Sequence, residues 1–233
     1  MIDQLLKQLE NLGTEANKRQ MAKFGINVSK AYGVNVEDIR VMAKEIGKNH
    51  DIATKLWKTG NHEARILATI VADPELTDIN LLQDWVIDIN SWDLCDQFCN
   101  NLVINTEHVD LLIIDWCIQE ETFVKRAGFS TMAVYALKND ELREKDIDGF
   151  FGLILNECWD KRNYVRKAVS WALKNIGKKD IHLNRKAVKI AKQMKEEKLK
   201  PAKETASEVL KEIQTPELIN KLKEKHEKLE ASE

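Results

Sequence analysis

The chain has 233 residues, 43% hydrophobic and 32% charged, with nine Gly and only three Pro. That length is ample for a sizeable core, the apolar content excludes wholesale disorder, and no stretch reaches the ~20 uninterrupted apolar residues of a membrane span. The net charge of −2 hides a split, with 16 Lys and Arg against 27 Asp and Glu in residues 1–160 but 15 against 3 in residues 161–203.

Met1-Ile2-Asp3-Gln4-Leu5 lacks the basic, apolar and small-residue order of a secretory signal. Cys95, Cys99, Cys117 and Cys158 are too few and too scattered for a disulfide framework. Both features set the expectation of a cytoplasmic protein, nucleoid-associated in a prokaryote. Leu5, Leu6, Leu9 and Leu12 then predict a first helix, ended by Gly13. Asn35 with Asp38 three residues later predicts a helix start ahead of Ile39, Val41, Met42 and Ile46, closed by Gly47. A third helix covers residues 64–71 and stops at Asp73-Pro74. Helical spacing continues over 78–89, 91–104, 107–118, 121–138, 144–159, 161–176 and 182–197, and a further helix follows Pro201. No alternating apolar run bounded by turn pairs competes with this pattern, so the fold class is all-α.

Two segments share one layout 41 residues apart, Val124-Lys125-Arg126-Ala127-Gly128 and Val165-Arg166-Lys167-Ala168-Val169, and Glu63-Ala64-Arg65-Ile66-Leu67 is a looser copy. A period near ~40 built from paired helices is the mark of a HEAT/armadillo-like α-solenoid. The expected organisation is one repeat domain over residues 1–213 with a concave basic face, followed by a charged helix or tail over 214–233. Lys125, Arg162, Arg166, Lys167, Lys174, Lys178 and Lys179 are the candidate phosphate contacts on that face. A solvated Lys-rich helical face accounts for the same composition.

Ser91-Trp92-Asp93-Leu94-Cys95-Asp96 holds the main chemical candidates. Trp92 and Asp96 are four residues apart and share a helix face, and a carboxylate beside an indole is an uncommon pairing for a core. Trp92 packing a helix seam while Asp96 caps or pairs with an Arg remains open from spacing alone. His62-Glu63 lacks the second His of a zincin helix. Cys95 and Cys99 lack a second tight ligand pair for zinc, and all four cysteines read as small core hydrophobes. Most of the six Trp are expected in the core. No P-loop, Gly-x-Gly-x-x-Gly or nucleophilic triad setting is present.

Taken in order, Ser91-Trp92-Asp93-Leu94-Cys95-Asp96, Phe123-Val124-Lys125-Arg126-Ala127 and Val165-Arg166-Lys167-Ala168-Val169-Ser170-Trp171 resemble the DNA alkylation repair family of AlkD-type HEAT-like-repeat glycosylases. The resemblance covers roughly residues 1–213. It implies that Trp92, Asp96, Arg126 and Trp171 surround a lesion-bearing nucleotide in double-stranded DNA. It further implies hydrolysis of the N-glycosidic bond of cationic N3- or N7-alkylated purines, with no metal or cofactor needed and the lesion left stacked. A capped solenoid with this much charge is expected to be a monomer. The family pattern has a Tyr where Phe24 aligns, so one hydroxyl near the DNA is missing. Related subfamilies lack base excision, and the alternative is a non-catalytic binder of branched or damaged DNA on the same fold. A HEAT-type scaffold for protein partners is the third reading.

Overall fold

A computed structural model describes residues 1–140, 142 and 144–231, and these form fourteen α-helices with no strand among the described residues. None of these helices is long and apolar enough to cross a membrane. The chain divides into two compact units, the first covering Met1–Asp110 and the second starting at Leu111.

The first unit contains α1 (Ile2–Leu12), α2 (Glu15–Lys23), α3 (Val36–Ile46), α4 (His50–Lys58), α5 (His62–Val71), α6 (Ile79–Ile87) and α7 (Trp92–Asn101). Side-chain caps set several starts: Thr14, Asn49, Asn61 and Asp78 each accept the backbone N–H three residues on. Each such cap contributes about 1 kcal/mol. α5 packs against α3, α4 and α7, which places it at the centre of the unit. Beside it, Trp57 and Trp85 stack with ring centroids 4.2 Å apart and planes 2° from parallel, and Phe98 completes the cluster. The Trp57 indole N–H donates to Asp88 at 3.0 Å, so the buried ring has no orphaned donor.

The second unit holds α8 (Val109–Cys117, from Leu111 onward), α9 (Thr122–Lys138), α10 (Glu144–Glu157), α11 (Asn163–Gly177), α12 (Ile181–Glu196), α13 (Lys200–Ile213) and α14 (Pro216–Glu230). α11 packs on both α9 and α13, while α12 packs on both α10 and α14. These two rows of alternate helices are the layers of stacked helix hairpins. The 41-residue repeat falls at the starts of α9 and α11, where Val124 and Val165 are both buried. Gly128 lets α8 approach α9: a Cβ there would lie 2.5 Å from the Cys117 backbone nitrogen.

The all-α expectation holds, and all four cysteines are buried and outside any disulfide among the described residues. Two helices lie outside the expected spans: α2, which buries none of its residues, and α4, which buries Ile52, Ala53, Leu56 and Trp57 at helical spacing. The segment after Gln214 is helical over Pro216–Glu230, and buried Leu222 holds it to the unit.

Candidate functional site

In the first unit, α2, the loop after it and α7 enclose a cleft of about 330 Å³. Its walls include Gln20, Met21, Phe24, Val34, Asn35 and Trp92. The Trp92 ring is half-buried, and its indole N–H donates to the Phe24 carbonyl oxygen at 3.0 Å. The Phe24 side chain is 63% exposed at the mouth. Asp96 lies one helical turn beyond Trp92 on the same face of α7 and is half-buried.

The loop that returns from Phe24 to α3 is tied down from below by Glu63 of α5. The Glu63 carboxylate, 0% exposed, accepts the backbone N–H groups of Tyr32 at 2.9 Å, Gly33 at 2.7 Å and Val34 at 3.2 Å. Gly33 is required there: its φ is +84°, and a Cβ would sit 2.4 Å from the Thr14 carbonyl oxygen. Next to Glu63, His62 Nε2 meets Asp93 Oδ2 at 2.8 Å, joining α5 to the first turn of α7. Burial works against the Asp93 charge, but the hydrogen bond and charge of His62, with hydrogen bonds from Ser91 and the Leu94 backbone, together outweigh it and hold the carboxyl below the ordinary carboxylate range. His62-Glu63 is therefore a supporting pair that fixes the cleft walls.

In the second unit, Lys125 and Arg126 at the start of α9 are buried, at 4% and 5% exposure. Lys125 pairs with Glu157 and lies 3.9 Å from Asp160, with its ammonium 5.7 Å from the Trp159 ring centroid. Arg126 Nη1 donates to the Tyr164 carbonyl oxygen at 2.8 Å, which ties α9 to the first turn of α11. Arg162 pairs with Asp160 at 2.5 Å and also donates to the Glu120 carbonyl. Burial opposes the Asp160 charge, yet the Arg162 hydrogen bonds keep its carboxyl below the ordinary range. Trp171, two turns along α11, is half-buried.

Part of the basic block is engaged. α11 and the Lys178 that caps its end present Arg166, Lys174 and Lys178 to a matching acidic row on α13 at positions 204, 208 and 212. Arg166 meets Glu204 at 2.6 Å, Lys174 meets Glu208 at 3.0 Å and Glu212 at 3.1 Å, and Lys178 also pairs with Glu212. Ser170 donates to Glu208 at 3.0 Å within the same row. Lys179 is spent on the Ala136 and Asn139 carbonyls and on Asp140. Among the seven expected phosphate contacts, Lys167 alone is exposed with no ion pair among the described residues. The composition of residues 161–203 is legible in the sequence, but the pairing of Arg166, Lys174 and Lys178 with α13 depends on which faces meet.

The structure thus brings Trp92 and Asp96 together on α7 in the first unit, and places Arg126 and Trp171 on α9 and α11 in the second. The cleft residues on α2, Gln20 and Met21, carry no apolar stripe that would mark the helix in the sequence; the Thr14 cap and the Glu15 to Lys23 charge order are its only local marks. Residues 5–206 match the family described as DNA alkylation repair enzyme. One solved structure is similar at 21% identity with a TM-score of 0.78, covering 90% of this chain and 94% of its own, and so shows the HEAT-like repeat fold. It is described as "a new family of proteins related to the HEAT-like repeat DNA glycosylases with affinity for branched DNA structures". No curated protein sequence matches the chain.

Proposed function

Because this chain belongs to the DNA alkylation repair enzyme family, we propose that it is a DNA glycosylase that hydrolyses the N-glycosidic bond of cationic N3- and N7-alkylated purines in duplex DNA. The observation that carries the reading is the Trp92–Phe24 cleft with Asp96 one turn along α7. An alkylated purine already bears positive charge, so the glycosidic electron pair returns to the purine nitrogen and the base leaves neutral without a general acid. The deoxyribose then carries the charge at C1′. Asp96 stabilises that oxocarbenium-like centre and orients the water whose oxygen bonds to C1′, taking up the proton it loses. Trp92 offers a π face to the cationic sugar and lesion, worth about 0.5–2 kcal/mol when desolvated, and the family resemblance gives Trp171 the same role. Arg126 enters as a positioning residue, since its buried guanidinium fixes the start of the helix that carries Trp171.

The test is release of N7-methylguanine and N3-methyladenine from alkylated duplex DNA by wild type and Asp96→Asn. Release by the wild type, lost in the variant while DNA affinity is kept, supports the reading. Equal release by both removes Asp96 from the mechanism.

A second reading, a non-catalytic binder of branched DNA, is favoured by the engagement of Arg166, Lys174 and Lys178 with α13 and by the affinity attributed to the similar structure. It requires no base release by the wild type, together with tighter binding to a four-way junction than to duplex.

A further inference from the structure

The family match ends at residue 206, and α14 lies beyond it. Beside α14 is a groove of about 590 Å³ whose walls carry Lys178, Lys179, Lys221, Lys225 and Lys228 against a single carboxylate, Glu224. The two walls differ in what is left to bind. On the α11 side, Lys178 is paired with Glu212, and Lys179 is spent on Asp140 and two carbonyls. On the α14 side, Lys221 and Lys228 are exposed and make no ion pair among the described residues, and Lys225 donates only to the Lys179 carbonyl at 3.3 Å. α14 is held against the unit: Leu222 is 3% exposed, and the rings of His182 and His226 meet edge to face at 4.8 Å. The three lysines therefore project from a docked helix.

We infer that this α14 groove is an auxiliary binding surface for the sugar–phosphate backbone of DNA. Lys221, Lys225 and Lys228 recur at i, i+4 and i+7, one stripe about 10 Å long at ~1.5 Å rise per residue. Phosphates along one strand of duplex DNA advance about 3.4 Å each along the axis, so the stripe spans about three of them. Ammonium groups are point charges on flexible stems, suited to backbone contact and lacking the planar fork that reads base edges. The apolar wall residues are Leu218 and Leu222, with no aromatic platform on which unpaired bases could stack. The groove therefore adds sequence-independent affinity. The inference rests on the DNA-directed reading above, and extends its footprint to a helix that the family match does not reach.

The experiment is fluorescence-anisotropy binding of a labelled unmodified duplex across a salt series. It compares the full-length wild type, the triple variant Lys221→Gln/Lys225→Gln/Lys228→Gln and the charge-keeping triple variant with Arg at the same positions. The Gln variant is expected to lose about tenfold or more in affinity, with a log–log salt slope shallower by about two to three. The Arg variant is expected to bind as wild type does. Thermal unfolding checks that all three proteins are folded alike. Wild-type affinity and slope in the Gln variant would overturn the groove and leave the DNA reading standing. Equal losses in the Gln and Arg variants would overturn it too, by making the effect one of shape. Absence of any duplex or junction binding by the wild type would overturn the DNA reading, and the groove with it. If the Gln variant loses affinity only for anionic phosphatidylserine vesicles, the groove belongs to a lipid surface and the inference fails.

Discussion

The Trp92 indole N–H and the Phe24 carbonyl oxygen, 68 residues apart in sequence, are joined at 3.0 Å. The bond fixes the plane of the Trp92 ring and anchors the end of α2 to α7. Since it uses the Phe24 backbone, the two rings can be tested separately. Trp92→Phe keeps a π face but loses the donor, and is expected to lower base release about tenfold. Phe24→Ala leaves the bond intact and removes only the ring, at a cost in DNA affinity of about 1–3 kcal/mol if that ring stacks on a base. Single-turnover release and anisotropy, measured on both variants, separate the two effects; a Trp92→Phe protein with unchanged release would remove the ring plane from the mechanism.

Glu63→Gln replaces one acceptor oxygen by an NH₂ group facing the buried N–H groups of Tyr32, Gly33 or Val34. Leaving such donors unsatisfied costs about 1–3 kcal/mol each. The variant is expected to unfold at lower denaturant by about 2–4 kcal/mol. A loss below ~0.5 kcal/mol in urea titration would show that the loop does not depend on this carboxylate.

The acid limb of stability follows from the carboxylates of the second unit. Asp160, Glu204, Glu208 and Glu212 all lie below their ordinary range: Asp160 and Glu208 despite burial, through Arg162 and Lys174, and Glu204 and Glu212 chiefly through Arg166 and Lys178. A depressed carboxyl contributes stability that is full above its unfolded pKa and is lost as pH falls through the folded one. The unit is therefore expected to hold its stability down to about pH 5 and lose it below about pH 4. Lys174 is shifted the other way: its glutamates outweigh burial and raise it, so its contribution is full below the ordinary lysine value and is lost only as pH rises through the raised one. Melting temperatures across pH for wild type and Glu208→Gln check this, with a shallower acid fall expected in the variant.

Lys167 and Lys174 separate an open cation from an engaged one. Lys167→Gln is expected to weaken DNA binding across all sequences and reduce the salt slope by about one. Lys174→Gln is expected to leave the slope nearly unchanged, because its charge already faces Glu208 and Glu212. Equal slopes for the two variants would contradict the assignment.

Much of this architecture was legible before any coordinates. Leu5 to Leu12 ending at Gly13, the Asn35 start and Gly47 stop, and the 41-residue echo of Val124 at Val165 all fall where the helices are. Those signals are local, because an apolar stripe or a cap is written within one turn or two. Trp92 and Asp96 were legible for the same reason. The role of Glu63 was not, since its partners lie 29 to 31 residues upstream and are backbone groups that any sequence supplies. The fate of Arg166 and Lys174 was hidden likewise. Glu204 and Glu208 sit 34 to 38 residues away, and only helix packing decides that the two rows meet.

The paired rows of α11 and α13 make any polyanion contact along α11 an exchange. A phosphate that takes Arg166 or Lys174 must evict a carboxylate tethered at high local concentration, so few mobile counterions are released in the swap. An isolated phosphate or a mononucleotide offers one charge and competes poorly. A continuous strand would meet several of these pairs at once. The tethered glutamates thus set a threshold for this face that a long polyanion would cross more easily than a short one of equal local charge.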